Sequence, residues 1–233
     1  MTKSVAIVLA AGNGKRMNNK IPKQYLAIDG KPVLYYCLVA FEKSSVEDII
    51  LVVSEGEQEY CKTEVVEKYN FKKIKQIVVG GYERYESVYA GLSVCDKDYD
   101  VVLIHDSAKP MITVDIIETA IDEAVRYGAC VVAVPVKDTI KVSDVDGFAH
   151  KTLRRDELWS AQTPQAFKLE ICKRAYDILM HSPGLEIGIT DDAMVVEKML
   201  GISVRLCMGD YKNIKITTPE DLIMATQYLE KKN

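Results

Sequence analysis

What this chain lacks narrows the field before any motif is considered. It has only three histidines, none in a triad-like setting. No apolar run approaches 18 residues, the length that would suggest a membrane span. The N-terminus also lacks the charged, apolar and cleavage regions of a signal peptide. Six cysteines (Cys37, Cys61, Cys95, Cys130, Cys172 and Cys207) show no C-x-x-C spacing, and buried free thiols in a cytoplasmic protein are expected. A basic excess is missing too. The net charge of −4 argues against general nucleic-acid binding, so any anion site must be a local gathering of cations. Repeats, low-complexity tracts and linkers are absent, and residues 1–233 read as one domain long enough for a proper core.

Two phosphate-binding patterns are missing as well. The P-loop spacing G-x-x-x-x-G-K-[ST] fails because Gly12 and Gly14 are too close and Arg16 follows Lys15. The dinucleotide pattern G-x-G-x-x-G fails at Met17, which excludes a dehydrogenase of that type. What stands there instead is Val5 to Leu9, a short buried strand, breaking into Ala10, Ala11, Gly12 and Gly14. Residues this small let a ligand approach the backbone. Lys15, Arg16, Lys20 and Lys23 follow at once. Small residues after a first strand, with cations behind them, suit a polyphosphate: backbone N–H groups cradle oxygens and side chains neutralise charge. A solvated basic loop is the alternative for this segment taken alone.

Strand and helix then alternate. Helices are predicted over Pro32–Glu42, Glu55–Tyr69, Glu83–Cys95 and Val114–Tyr127, with strands over Asp48–Ser54, Lys75–Val79, Val101–His105 and Ala129–Val134. Repeated βα units with wholly apolar strands predict a mostly parallel sheet covered on both faces. Ligands bind beyond the carboxyl ends of such strands. After Pro135 the rhythm changes. Segments 139–142 and 149–154, with Asp146-Gly147 between them, predict a hairpin inside a projecting arm over 137–160. A polar hairpin is marginal alone and is expected to pack against a second copy of the chain. The tail returns to helices over Leu169–Met180, Asp191–Leu200 and Pro219–Lys231, with a strand over Ser203–Cys207. Thr163-Pro164-Gln165 and Thr190-Asp191-Asp192 read as turn and cap chemistry.

Several clusters carry chemistry in this order. Gly80-Gly81-x-x-Arg84-x-x-Ser87 follows a strand and enters a helix, where paired glycines leave room for a flat ligand. A plain strand-to-helix turn explains it equally. Asp106, after His105, could hold Mg²⁺ or a ribose hydroxyl, or simply cap a helix. His105 itself reads as a packed strand-end residue. Lys215 stands just ahead of the last helix.

Read jointly, these segments resemble one family, the 2-C-methyl-D-erythritol 4-phosphate cytidylyltransferases, which share a Rossmann-like nucleotidyltransferase fold. The resemblance runs from Ala6 to about Leu229. It rests on Leu9-Ala-Ala-Gly-x-Gly-x-Arg-Met, Pro22-Lys-Gln-Tyr-Leu, Gly80-Gly-x-x-Arg-x-x-Ser-Val and His105-Asp. It continues through Pro135-Val-x-Asp-Thr-x-Lys, Leu158-Trp-x-Ala-x-Thr-Pro-Gln-x-Phe, Thr190-Asp-x-Ala and Asn213-Ile-Lys-x-Thr-x-Pro-Glu-Asp-Leu.

The resemblance implies a homodimeric enzyme that moves CMP from CTP to a polyol phosphate with Mg²⁺. It implies catalytic roles for Arg16, Lys23 and Lys215. CTP would meet Ala10, Ala11, Gly12, Gly14, Lys15, Gly81, Arg84, Ser87 and Asp106, the last also holding the metal. The acceptor would meet Thr139, Arg155, Thr163, Thr190 and Lys109, with Thr139 and Arg155 contributed by the partner's arm. Two features depart from the family pattern. His105-Asp-Ser-Ala-Lys-Pro stands where H-D-A-A-R-P is usual, and Tyr82 stands where a small or acidic residue is common. Ser107 is a feature of related ribitol-5-phosphate cytidylyltransferases, which leaves an alditol phosphate as the alternative acceptor. Ala10-Ala11-Gly12, Leu158-Trp159 and the segment from Thr190 to Glu197 favour methylerythritol phosphate.

Overall fold

Alternate side chains of a strand face opposite ways, so a strand buried on both faces must be apolar throughout. The first strand shows this directly. In the computed structural model, which describes residues 2–12 and 21–230, β1 spans Ser4–Ala10. Its Ala6, Val8 and Ala10 join one apolar cluster, while Val5 and Ile7 join another. The remaining strands of the main sheet are β4 (Asp48–Val53), β5 (Ile74–Val79), β6 (Val101–Asp106), β7 (Ala129–Pro135), β10 (Trp159–Lys168) and β11 (Arg205–Met208). They lie in the order β11-β7-β10-β6-β1-β4-β5, and β10 alone runs against the others. Short pairs complete the strands: β2 (Ala27–Ile28) with β3 (Lys31–Pro32), and β8 (Lys141–Ser143) with β9 (Ala149–Thr152).

Helices cover both faces. Leu34, Leu38 and Phe41 of α1 (Val33–Lys43) and Ile117, Ala120 and Ala124 of α4 (Val114–Tyr127) pack on the first cluster. Val88 and Leu92 of α3 (Arg84–Ser93), Tyr176 of α5 (Leu169–Met180) and Val195 and Val196 of α6 (Asp192–Leu200) pack on the second. A last helix, α7 (Pro219–Glu230), buries Ala225 beside Ile28, Val33 and Ile216. The ends are chemically marked. Thr113 caps α4 by accepting from the Ile116 N–H, and Gly128 leaves the helix at φ +88°. Glu83 and Glu86 form a reciprocal capping box at the start of α3.

The structure departs from the sequence expectations at two elements. The helix expected from Glu55 begins only at Gln58, because Gly56 takes φ +81°, a left-handed backbone that no right-handed helix admits. That helix, α2 (Gln58–Cys61), then widens into a π-helical stretch over Lys62–Glu67. The larger departure is β10. Its Pro164 argues against a central strand, since proline cannot donate to a ladder. The strand accommodates it at an irregularity, with a register shift between Ala161 and Gln165.

The arm leaves the sheet between β7 and β10, held at its base by the Val136 N–H on the Leu158 carbonyl, 2.9 Å. Its turn is built by Asp144, whose carboxylate accepts from the N–H groups of Asp146 and Phe148 at 3.1 and 2.8 Å, with Gly147 at φ +85°. Both arm strands are exposed along their length, and Val145 and Phe148 stand out from the tip.

Candidate active site

Four parallel strands, β1, β4, β5 and β6, end side by side, and their carboxyl ends floor a cleft of about 740 Å³. Hydrogen bonds tie these strand ends together. The Ser107 N–H reaches the Leu9 carbonyl at 3.0 Å, and the Gly80 N–H reaches that of Val53 at 2.8 Å. Ser54 donates to the Ala11 carbonyl at 3.2 Å. The Gln24 amide donates to the Ala10 carbonyl at 2.6 Å, which anchors the short turn Lys23–Tyr25 and sets Lys23 on the cleft wall. Gln24 stands in the Pro22-Lys-Gln-Tyr-Leu motif without an assigned role, and a strand-end hydroxyl such as Ser54 carries no motif.

The described lining includes Ala11, Gly12, Lys23, Gly81, Arg84, Ser87, Asp106 and Lys215. A β-carbon on Gly12 would meet nothing within 4 Å among the described residues, which leaves open space over that backbone. Ala10 lies beneath the surface, buried in the core. The paired glycines have a different reason from the one expected. A β-carbon on Gly80 would lie 2.6 Å from Ser87 Oγ and 2.7 Å from Ala11 Cβ, and one on Gly81 would overlap Glu86. Close approach of the turn to α3 therefore demands glycine before any ligand arrives. Ser87 holds that turn, accepting from the Gly81 N–H at 3.2 Å.

Asp106 is the electrostatic centre. Its carboxylate accepts from Lys215 Nζ at 2.6 Å and from Arg84 Nε at 3.2 Å. Burial pushes this carboxyl up, but Arg84, Lys215 and Lys109 together hold it well below the usual carboxylate range. Arg84 is fixed from behind by Asp192, with Nη1 and Nη2 each 2.8 Å from a carboxylate oxygen. Burial disfavours the guanidinium charge; Asp192 and Asp106 outweigh that and keep it protonated. The expectation for Asp192 was turn and cap chemistry. Asp191 does cap α6, accepting from the Met194 N–H at 2.9 Å, whereas Asp192 is fully buried. The signal was present: Asp192 shares the apolar stripe of Val195 and Val196, and an acid there requires a cation.

The acceptor residues are dispersed. Thr163 is buried, its hydroxyl between the Asp106 N–H at 3.2 Å and His105 Nδ1 at 3.0 Å, so it secures the end of β6 rather than facing the cleft. Lys109 is buried too and does not line the cleft. Burial lowers its ammonium to about 8, against the pull of Asp106. Thr190 lines a separate depression with Arg84 and Tyr176. Thr139 and Arg155 are exposed on the arm and line no part of their own chain's cleft; Arg155 Nη1 donates to the Lys137 carbonyl at 2.9 Å. Gly14, Lys15 and Arg16 lie outside the described residues.

A mostly parallel sheet with a cation-lined cleft at its strand ends is an architecture this chain shares with α/β nucleotidyltransferases. Comparison with known proteins sharpens this. The family model described as IspD, 2-C-methyl-D-erythritol 4-phosphate cytidylyltransferase, matches residues 4–231. The protein of that name from Caldanaerobacter subterraneus subsp. tengcongensis is 50% identical over 229 residues, covering 97% of this chain and 98% of the relative. That of Lachnoclostridium phytofermentans is 49% identical over 229 residues, covering 98% and 97%. The crystal structure of 4-diphosphocytidyl-2C-methyl-D-erythritol synthase from Anaerococcus prevotii superposes with a TM-score of 0.86 at 32% identity, covering 98% of this chain and 96% of that one. The chain belongs to the 2-C-methyl-D-erythritol 4-phosphate cytidylyltransferase family.

Proposed function

We propose that this chain transfers CMP from CTP to 2-C-methyl-D-erythritol 4-phosphate and releases pyrophosphate, forming the CDP-methylerythritol intermediate of non-mevalonate isoprenoid precursor synthesis. Beyond family membership, the observation that supports this most is the Asp106–Lys215–Arg84 cluster set beside Lys23 in the cleft. A phosphate monoester is mostly dianionic at neutral pH, its second pKa being about 6, so the acceptor is already a nucleophile. No general base is required, in keeping with a cleft whose only nearby histidine, among the described residues, is sealed in the core. The difficulty is charge. A phosphate oxygen attacks the α-phosphorus of CTP and pyrophosphate leaves, which crowds negative charge at one place. Arg16, Lys23 and Lys215 would stabilise that charge.

Lys215 rests on Asp106 in the free chain. An arriving triphosphate offers the ammonium a second anionic partner, which releases one carboxylate oxygen. Among the described residues no group of three or more His, Cys, Asp or Glu side chains is placed to hold a metal. A divalent cation carried by substrate phosphates and met by a single carboxylate is the arrangement Mg²⁺ commonly uses. Asp106, kept ionised by its cations, fits that role. Bound there, Mg²⁺ would supply Lewis-acid stabilisation of the phosphoryl oxygens.

The dispersed acceptor residues support a dimer. Thr139 and Arg155 sit on an arm with an apolar tip, and a second copy is the simplest way to bring them to a cleft. Six free, buried cysteines, and no described helix long and apolar enough to cross a membrane, fit a cytoplasmic enzyme. The test is pyrophosphate release from CTP and Mg²⁺ with methylerythritol 4-phosphate and ribitol 5-phosphate in parallel. Turnover with the first is expected; turnover confined to the second would overturn the assignment.

A further inference from the structure

We propose that Asp192, outside the cleft, is a positioning residue for the cytidylyl transfer: it holds Arg84 so that only one edge reaches Asp106, which leaves the other Asp106 oxygen to Lys215. As a statement about the reaction this rests on the function proposed above; as a statement about geometry it does not.

The argument begins with the shape of a guanidinium. Its nitrogens lie in one plane, and its preferred contact with a carboxylate is a pair of parallel N–H···O bonds. Arg84 makes that paired contact with Asp192, Nη1 to Oδ1 and Nη2 to Oδ2, both at 2.8 Å. Toward Asp106 it presents its Nε edge, which makes one longer contact of 3.2 Å to Oδ1. Asp106 Oδ2 is thereby left to Lys215 at 2.6 Å. Two carboxylates share one guanidinium, and the one outside the cleft holds both terminal nitrogens.

Asp192 is itself held firmly. Its side chain has no exposure, and Tyr176 on α5 donates its hydroxyl to Oδ1 at 2.5 Å. The start of α6 is locked to β10 through Gln165, which accepts from the Ala193 N–H at 2.8 Å and donates to Asp191 at 3.0 Å. Three elements thus converge to fix the plane of one guanidinium. Without the Asp192 charge, the better partner for the Arg84 fork is Asp106. A paired contact there would cover both oxygens and expel Lys215, the cation assigned to the reacting phosphates. It would also cover the carboxylate offered to the metal.

The variants Asp192→Asn and Tyr176→Phe test this. Asparagine keeps the shape but removes the charge and turns an N–H toward Arg84; phenylalanine removes a single hydroxyl and guards against a misfolded first variant. For Asp192→Asn, kcat should fall about 10- to 100-fold, the range for outer partners of a site, a larger change than any in the KM for CTP. Tyr176→Phe should move kcat in the same direction by a smaller factor. A purely structural role would lower the melting temperature and leave the kcat of the folded protein at the wild-type value, and that result overturns the proposal. A crystal structure of Asp192→Asn reads the geometry without reference to substrate. Arg84 forked onto Asp106 with Lys215 displaced is expected; Arg84 and Lys215 unmoved would refute it. Wild-type protein inactive on both acceptors would strike the proposed function, while the crystal structure still decides the role of Asp192.

Discussion

Acid should weaken this fold through one histidine before it reaches the carboxylates. His105 is fully buried, with Phe41 packed against its ring at 5.3 Å. Its Nε2 lies 3.2 Å from the Lys109 carbonyl, which can only accept, so Nε2 carries the proton. Nδ1 is then an acceptor for the Thr163 hydroxyl at 3.0 Å, and Thr163 Oγ accepts from the Asp106 N–H at 3.2 Å. Every donor in this chain has an acceptor, and a second proton on the imidazole has no place in it. Burial accordingly lowers the His105 pKa to about 4, with the Asp106 charge opposing in part. The unfolded chain takes up that proton near 6.5, so between pH 6.5 and 4 it binds more protons than the folded one. Stability is therefore fully present above 6.5 and is lost as pH falls toward 4, by about 3 kcal/mol over the window. Urea unfolding at intervals from pH 7.5 to 4 measures the slope. The variant His105→Asn should be less stable at neutral pH, because it leaves a void, yet its stability should fall less steeply across the window. Parallel profiles for the two proteins would refute the tautomer and the burial argument together.

Three further outcomes are expected. Arg16→Ala or Lys23→Ala should each lower turnover by roughly 10²- to 10³-fold, the effect of losing one preorganised charge-stabilising donor, with CTP binding far less affected; near wild-type kcat in both would sink their assignment. Gly80→Ala should cost about 1–3 kcal/mol through overpacking against Ser87, Ala11 and Val52, and should weaken CTP binding because Ala11 is displaced. Calorimetry showing unchanged stability and affinity would count against the rigid turn. Charged replacements at the arm tip, Val145→Asp with Phe148→Asp, should shift sedimentation from dimer to monomer and abolish turnover, whereas an active monomer would remove the arm from the acceptor site.

The parallel part of the sheet is legible because burial on both faces leaves an apolar run such as Ile49-Ile-Leu-Val-Val. β10 was not legible. Its residues around Thr163, Pro164 and Gln165 obey tertiary demands: a shifted register, a hydroxyl for His105 and an amide for Asp191. The π-helical widening after Cys61 had no local signal either. In the cleft, Lys23, Arg84, Asp106 and Lys215 belonged to motifs with a chemical rationale, and the fold brings them to one place. What pattern could not reveal was which partner each charge chooses. Asp192 lies 108 residues from Arg84 in sequence, and no spacing rule connects them. Acceptor contacts for Thr163 and Lys109 come from the family resemblance alone, and the burial of both side chains has no signal in the local pattern.

The antiparallel strand also constrains how the molecule assembles. β6, α4 and β7 follow one another as strand, helix, strand, an order that ordinarily leaves the two strands as hydrogen-bonded neighbours. Here they never touch as a ladder, because β10 occupies the gap between them. The chain finishes β7, travels out along the arm and returns as the strand that joins a two-stranded part to a four-stranded one. In the folded sheet β10 is hydrogen-bonded on both sides, and as a ladder it links the β11-β7 part to the β6-β1-β4-β5 part. Loss of the β10 pairing would therefore expose two unpaired edges at once, one on β6 and one on β7, rather than a single rim. The continuity of the sheet thus depends on the one strand that runs against the rest and that carries a proline within its length.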